Sequence, residues 1–182
     1  MFAGGDPSLT SLRLPLATRE NLGRAENGRF PAASEMTSTP PAPLLVYMEG
    51  LRRHDIAMIA SSFAPDLRFV TPVRTMDSAQ TLAFLHALYS GFPDWHYDND
   101  PPRVMPDGSW GVLWRQGGTH THTLARPGFP AVEPTLRTVR IPPHDFYYMV
   151  DERGLRQIRP DPVPGGAPRG ILEQIGVALP PL

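Results

Sequence analysis

The stretch RQGGTHTHTL, residues 115–124, sets His120 and His122 two positions apart among threonines. On a β-strand that spacing puts both imidazoles on one face. Such a pair suits a metal site, a pocket wall or a buried strand end. A metal site built on this pair needs a further ligand, and Arg126 and Pro127 occupy the positions four and five residues beyond His122. Neither ligates a metal, so no metal is expected. Asp145 lies within HDFYY, residues 144–148, flanked by aromatic residues. A carboxyl in apolar surroundings resists ionisation, which suits it to acid/base work near neutral pH. The competing reading makes Asp145 a turn residue after IPPH.

Other residues fit a pocket around such a group. Trp110, Val112, Trp114, Gln116 and His122 share one strand parity, which gives apolar walls with a few polar heads. Tyr47, on a predicted helix, would donate a hydrogen bond from above, or be an ordinary half-buried helix tyrosine. Trp95, Tyr97 and Tyr148 read as core or dimer-face aromatics, with Tyr148 also a candidate substrate contact. Asp94, in FPDW, reads as a turn residue.

The elements that must hold these residues follow from the patterning. The chain has 182 residues, enough for one domain with a core, and a formal net charge of −1. No basic stripe points to nucleic acid, and no apolar run approaches the ~20 residues of a membrane span. There is no cysteine, which excludes disulfides and thiolate metal sites. The N-terminus lacks the charged and apolar regions of a signal peptide, so a soluble, cytoplasmic protein is expected. Residues 1–42 are polar and poor in aromatics, and are expected to be a flexible or loosely docked arm before a domain spanning 43–182. Leu44, Leu45, Met48, Leu51, Ile56, Ile59 and Phe63 recur at helical spacing, with a polar break at RRHD. DLRFVTP reads as a strand. DSAQTLAFLHALYSGF reads as a helix capped by Asp77 or Ser78 and stopped at Gly91. Strands are expected over WHYDND, SWGVLWRQGGTHTHTL, TLRTVRIPPHDFYYMVDERG and LRQIRP, then a short helix in RGILEQIGVAL. Helix, strand, helix and consecutive strands make an α+β domain, a curved antiparallel sheet with helices on one face.

FPDW at 92–95, WRQGGTHTH, PTLRTVRIPPHDFYYMVDERGLRQI and GILEQIG occur in an order and spacing that resembles the SnoaL-like polyketide cyclases of the NTF2-like superfamily, over about residues 43–176. The resemblance implies an NTF2-like cone with helices on the concave face, a cofactor-independent intramolecular aldol cyclase or a related isomerase or hydro-lyase, a small hydrophobic carbonyl substrate and a homodimer. It implies Asp145 as acid/base, His120 assisting, and Tyr47, Thr71, Trp114, Gln116, His122 and Tyr148 around the substrate. Ketosteroid isomerases share the cone, but their catalytic carboxylate position falls on Thr71, which argues against that reaction. His122 and Leu136 stand where the family has glycines, and are expected to narrow the cavity or reshape its mouth. RPDPVPGGAP replaces a regular last strand. The alternative function is a non-catalytic ligand-binding or dimerisation module on the same cone.

Overall fold

The structure, a computed structural model, describes residues 38–126 and 129–179. The arm expected over 1–42 lies, up to residue 37, outside the described residues.

Helix α1 (Ala42–Arg53) starts behind Pro41 and buries Leu44, Tyr47, Met48 and Leu51, a stripe at three- and four-residue spacing. His54 ends it in the left-handed region at φ 56°. Asp55 then caps α2 (Ile56–Ser61) by accepting from the Met58 N–H at 2.9 Å. The RRHD break is therefore a junction between two helices. Helix α3 (Ser78–Gly91) opens with a capping box between Asp77 and Gln80 and ends at the expected glycine.

The strands are β1 (Phe63–Val70), β2 (Thr75–Met76), β3 (His96–Asn99), β4 (Arg103–Val104), β5 (Trp110–Thr119), β8 (Thr138–Asp151) and β9 (Gly154–Pro160). They form one curved sheet in the order β2-β1-β9-β8-β5-β3, with β4 also on β5. Every pair is antiparallel except β1 with β9, which run parallel, so the sheet is mixed. Strands β6 (Leu124–Arg126) and β7 (Phe129–Val132) make a separate hairpin, and α4 (Arg169–Gln174) follows β9.

Two cores result. The first joins α1, α2 and α3 to the sheet through Leu44, Tyr47, Leu51, Ile59, Leu85, Trp114, Tyr148 and Ile158. The second gathers Phe92, Trp95, Leu124, Val139, Ile141, Ile171 and Ile175 around the end of α3 and α4. At ~1.5–3 kcal/mol for each large apolar side chain removed from water, these two clusters hold the helices on the sheet.

One expected strand is shorter than its sequence suggests. Strand β5 stops at Thr119, because the N–H groups of Thr121 and His122 both turn to the Gly91 carbonyl at 3.2 Å. His120 and His122 therefore do not share a strand face. Asp94 does more than turn the chain: its Oδ1 accepts from the Thr119 N–H at 2.7 Å and pins the end of β5.

Candidate functional site

A cavity of 450 Å³ opens where β1 and β9 end, within the range that small-molecule sites occupy. Phe69, Phe84 and Phe146 form its apolar walls. The Thr71–Arg74 turn closes one side, and residues 160–170 form the roof. A smaller recess of 50 Å³ lies deeper in the cone, lined in part by Tyr47, Tyr97, Trp114, Gln116 and Tyr148. Phe69, Phe84, Phe146 and Ala167 border both spaces. The recess has room for a water or a carbonyl oxygen, not for a ring, so a ligand's bulk belongs in the outer space.

The register of β8 decides which titratable group reaches that space. Trp114 pairs with His144 and Gln116 pairs with Ile141, so two steps along β5 match three along β8. The extra residue is a bulge at Pro142–Pro143, where a strand tolerates residues without an N–H. A one-residue shift exchanges the two faces of the strand. Counting from the buried Val139 and Ile141 assigns Asp145 to the inside; the bulge turns it out and turns His144 in. Phe146 and Tyr148 share the inward parity of His144, and both face the cavity system.

Asp145 accordingly lies on the outer face of the sheet. Its Oδ2 is ion-paired with Arg103 Nη2 at 2.7 Å, and its side chain is 21% exposed. Asp145, expected as the acid/base, therefore lines neither space. His144 lines the cavity instead. Its ring packs 4.8 Å from Phe146, and Nδ1 lies 2.8 Å from the Pro142 carbonyl. A carbonyl only accepts, so Nδ1 carries the proton and Nε2 keeps a lone pair. Among the described residues, Nε2 has no hydrogen-bond partner.

The other expected site residues divide. Tyr47, Trp114, Gln116 and Tyr148 come together around the inner recess. Trp114 Nε1 donates to the Tyr148 hydroxyl at 2.7 Å. Burial, with the neighbouring Tyr148 and Tyr89 phenols adding to it, pushes the Tyr47 phenol well above its ordinary range, so it stays a donor. Among the described residues neither the Tyr47 hydroxyl nor the Gln116 amide is hydrogen-bonded. Tyr89, whose hydroxyl meets that of Tyr97 at 3.3 Å, is pushed up to about 12 by burial. Thr71 lines the outer cavity, but its hydroxyl is engaged with the Arg74 backbone at 2.8 and 3.1 Å.

His120 and His122 are elsewhere. His120 is 0% exposed in the second core, stacked on Phe92 at 5.0 Å, with Nδ1 accepting from the Thr135 N–H at 3.2 Å. It lines neither space, so it is a core histidine and does not assist at the cavity. His122 is exposed beyond the end of β5, its Nδ1 3.0 Å from the Thr121 hydroxyl, and does not contact the cavity. Leu136 is 73% exposed and also away from it, so neither departure from the glycine pattern narrows the mouth. The irregular 160–168 segment does line the cavity. No cluster of three or more histidine and acidic side chains suited to a metal occurs among the described residues.

Sequence reasoning missed the cavity's polar residues His144, Asp161, Arg74, Arg169 and Glu173. Asp161 follows β9, and its Oδ2 accepts from the Tyr147 hydroxyl at 3.0 Å. The signal for His144 was present: it shares the parity of Phe146 and Tyr148, and the preceding Pro-Pro pair marks a bulge.

Residues 45–156 match the model of the SnoaL-like domain. No curated protein matches the chain in sequence. Among solved structures, AclR of Streptomyces galilaeus, a proposed hydroxylase, superposes with a TM-score of 0.58 at 17% identity, covering 74% of this chain and 79% of its own. A proposed SnoaL-like polyketide cyclase from Jannaschia sp. CCS1 gives 0.56 at 16% identity, covering 78% and 99%. A protein of ketosteroid isomerase-like fold from Catenulispora acidiphila, solved with trimethylamine, gives 0.53 at 14% identity, covering 77% and 96%. At these identities the likeness concerns the fold alone. No described helix is long and apolar enough to cross a membrane.

Proposed function

The chain belongs to the SnoaL-like domain family, and from that premise we propose that it is a cofactor-independent acid/base enzyme acting on a small hydrophobic carbonyl compound, by an intramolecular aldol closure or a related isomerisation or elimination. The observation that carries the reading is His144 beside the phenylalanine walls of a cavity of 450 Å³, with Nδ1 held by Pro142 and Nε2 unengaged. In this reading His144, not Asp145, is the acid/base.

Nε2 takes the proton from a carbon activated by adjacent carbonyls. The resulting enolate attacks a second carbonyl of the same molecule, and the imidazolium returns the proton to the alkoxide formed. The Tyr47 hydroxyl and the Gln116 amide, at the inner recess, supply donors for an oxyanion lodged there. The phenylalanine walls exclude water and fold the chain of the substrate toward closure.

The test is a panel of hydrophobic 1,3-dicarbonyl compounds that carry a further ketone at ring-forming distance, with binding and turnover both measured. Wild type is expected to bind and turn over at least one of them. His144→Gln is expected to bind with similar affinity and lose 10²–10⁴-fold in rate, the usual contribution of a positioned acid/base. Retained turnover in that variant removes His144 from the mechanism.

One observation favours a second reading. The outward turn of Asp145, and its pairing with Arg103, remove from the cavity the carboxylate that the family resemblance implied. A ligand-binding module on the same cone needs the cavity and no acid/base. Tight binding without turnover across the panel supports it. A homodimer remains part of the proposal, tested by sedimentation equilibrium of the full chain.

A further inference from the structure

The groups that the proposed chemistry uses are divided between two chambers. His144 lines the outer cavity, while Tyr47 and Gln116 line the inner recess of 50 Å³. A ligand that meets His144 and the two donors at once has to span both. Four residues border both spaces: Phe69, Phe84, Phe146 and Ala167. They mark the passage from one chamber to the other.

Three of the four are large and held by regular elements. Phe69 stands on β1, Phe84 on α3 and Phe146 on β8. Phe69 and Phe146 meet edge to face with centroids 6.4 Å apart, and all three rings pack against the first core. Rings locked in that way cannot change the width of the passage without disturbing the core. Ala167 is different. It is small, and it lies on the irregular chain between β9 and α4. Its flanks are set by the backbone: the Gly166 N–H donates to the Val163 carbonyl at 2.9 Å, and the Gly170 N–H donates to the Gly166 carbonyl at 2.8 Å. Ala167 itself is exposed, so a longer side chain there meets open space and not packed atoms. The passage is therefore set at residue 167 by side-chain size alone.

We infer that Ala167 is a specificity-determining residue: its small side chain admits to the recess a carbonyl whose neighbouring carbon is unbranched, and the passage excludes a carbonyl flanked by a bulky branch. This deepens the substrate class given above and rests on the cavity being the ligand site. The apolar body of the ligand stays in the outer space against the phenylalanines. Only the carbonyl enters the recess, where Tyr47 and Gln116 donate to its oxygen. An apolar constriction discriminates by what it has no room for, and a single methylene at such a place is worth roughly ten- to two-hundredfold.

The experiment is NMR titration of the full chain with naphthalene, methyl 2-naphthyl ketone and tert-butyl 2-naphthyl ketone, both ketones labelled with carbon-13 at the carbonyl. None of these compounds carries a second carbonyl, so binding is read apart from turnover. The labelled resonance moves downfield when the oxygen accepts hydrogen bonds, which reports entry into the recess. Wild type is expected to bind the methyl ketone roughly tenfold more tightly than the tert-butyl ketone, with a downfield shift for the methyl ketone alone. Ala167→Leu should erase both the preference and the shift while leaving naphthalene affinity within about twofold. Ala167→Val, a smaller step, should reduce the preference partway, and it decides the matter where the leucine variant does not fold. Equal binding of the two ketones to wild type, or a bound methyl ketone without the downfield shift, overturns the inference and leaves the cavity reading standing. A preference that survives undiminished in the variants also overturns it. Loss of all three compounds alike in the variants overturns it too, since Ala167 would then shape the outer cavity and not the passage. Failure of all three to bind wild type overturns the cavity reading together with the inference.

Discussion

His120 holds a neutral imidazole in an apolar core, and that has a consequence for stability. Burial lowers its affinity for a proton, pulling its pKa below the ordinary 6.5. In the unfolded chain the same ring titrates at about 6.5. As pH falls through that value the unfolded state binds the proton first, so stability drops until the folded pKa is reached and is flat below it. Above about pH 6.5 the contribution is constant. Urea denaturation of wild type and His120→Gln between pH 5 and 8 is expected to show a smaller fall on acidification in the variant. Parallel curves would contradict this account of His120. Leu136 gives the opposite case. It sits at φ 56°, in the left-handed region, with its side chain 73% exposed and nothing gained from packing. Leu136→Gly is expected to stabilise by up to about 1 kcal/mol, as relief of left-handed strain outweighs the added freedom of the unfolded glycine. A lower urea midpoint would contradict that.

At the scale of elements, the tight β8–β9 turn shows how little tolerance the sheet has where strands meet α2. Gly154 has φ 122°, and a Cβ there would stand 2.6 Å from the Ser62 carbonyl oxygen and 2.8 Å from the Ala64 nitrogen. Both neighbours are backbone and cannot swing aside. Gly154→Ala is expected to cost at least about 2 kcal/mol, read from thermal or urea unfolding. The helices were legible in the sequence because their apolar stripes and caps are local: Leu44, Tyr47, Met48 and Leu51 on α1, and the Asp77–Gln80 box on α3. The long strands were legible for the same reason. What alternation alone does not carry is register across a bulge. The Pro142–Pro143 pair shifts β8 by one residue, and with it which titratable group of β8 reaches the cavity. The end of β5 was hidden too, because it depends on the Gly91 carbonyl, which is distant in sequence from Thr121 and His122.

At the scale of the whole domain, the cavity lies at one end of the sheet. The β1–β2 turn, the start of the bulged β8 segment and the chain leaving β9 converge there, and each contributes a polar residue beside the phenylalanine walls. The family resemblance located the cone correctly and left the cavity's contents open, since residues 160–170, which line it, follow the last strand in an irregular course. Tyr47, Trp114, Gln116 and Tyr148 meet around the inner recess because they sit on regular elements facing the core. Asp161 and Arg74 sit on turns whose direction is set by packing.

The central claim is that the bulge makes His144, and not Asp145, the group that moves protons in the cavity. The measurement that tests it most directly is deuterium uptake from D₂O at the activated carbon of a bound 1,3-dicarbonyl compound, followed by proton NMR for wild type, His144→Gln and Asp145→Asn. The account predicts exchange in wild type, a loss of about a hundredfold or more in His144→Gln, and a rate near wild type in Asp145→Asn. The reverse order, with Asp145→Asn inactive and His144→Gln unaffected, would contradict it.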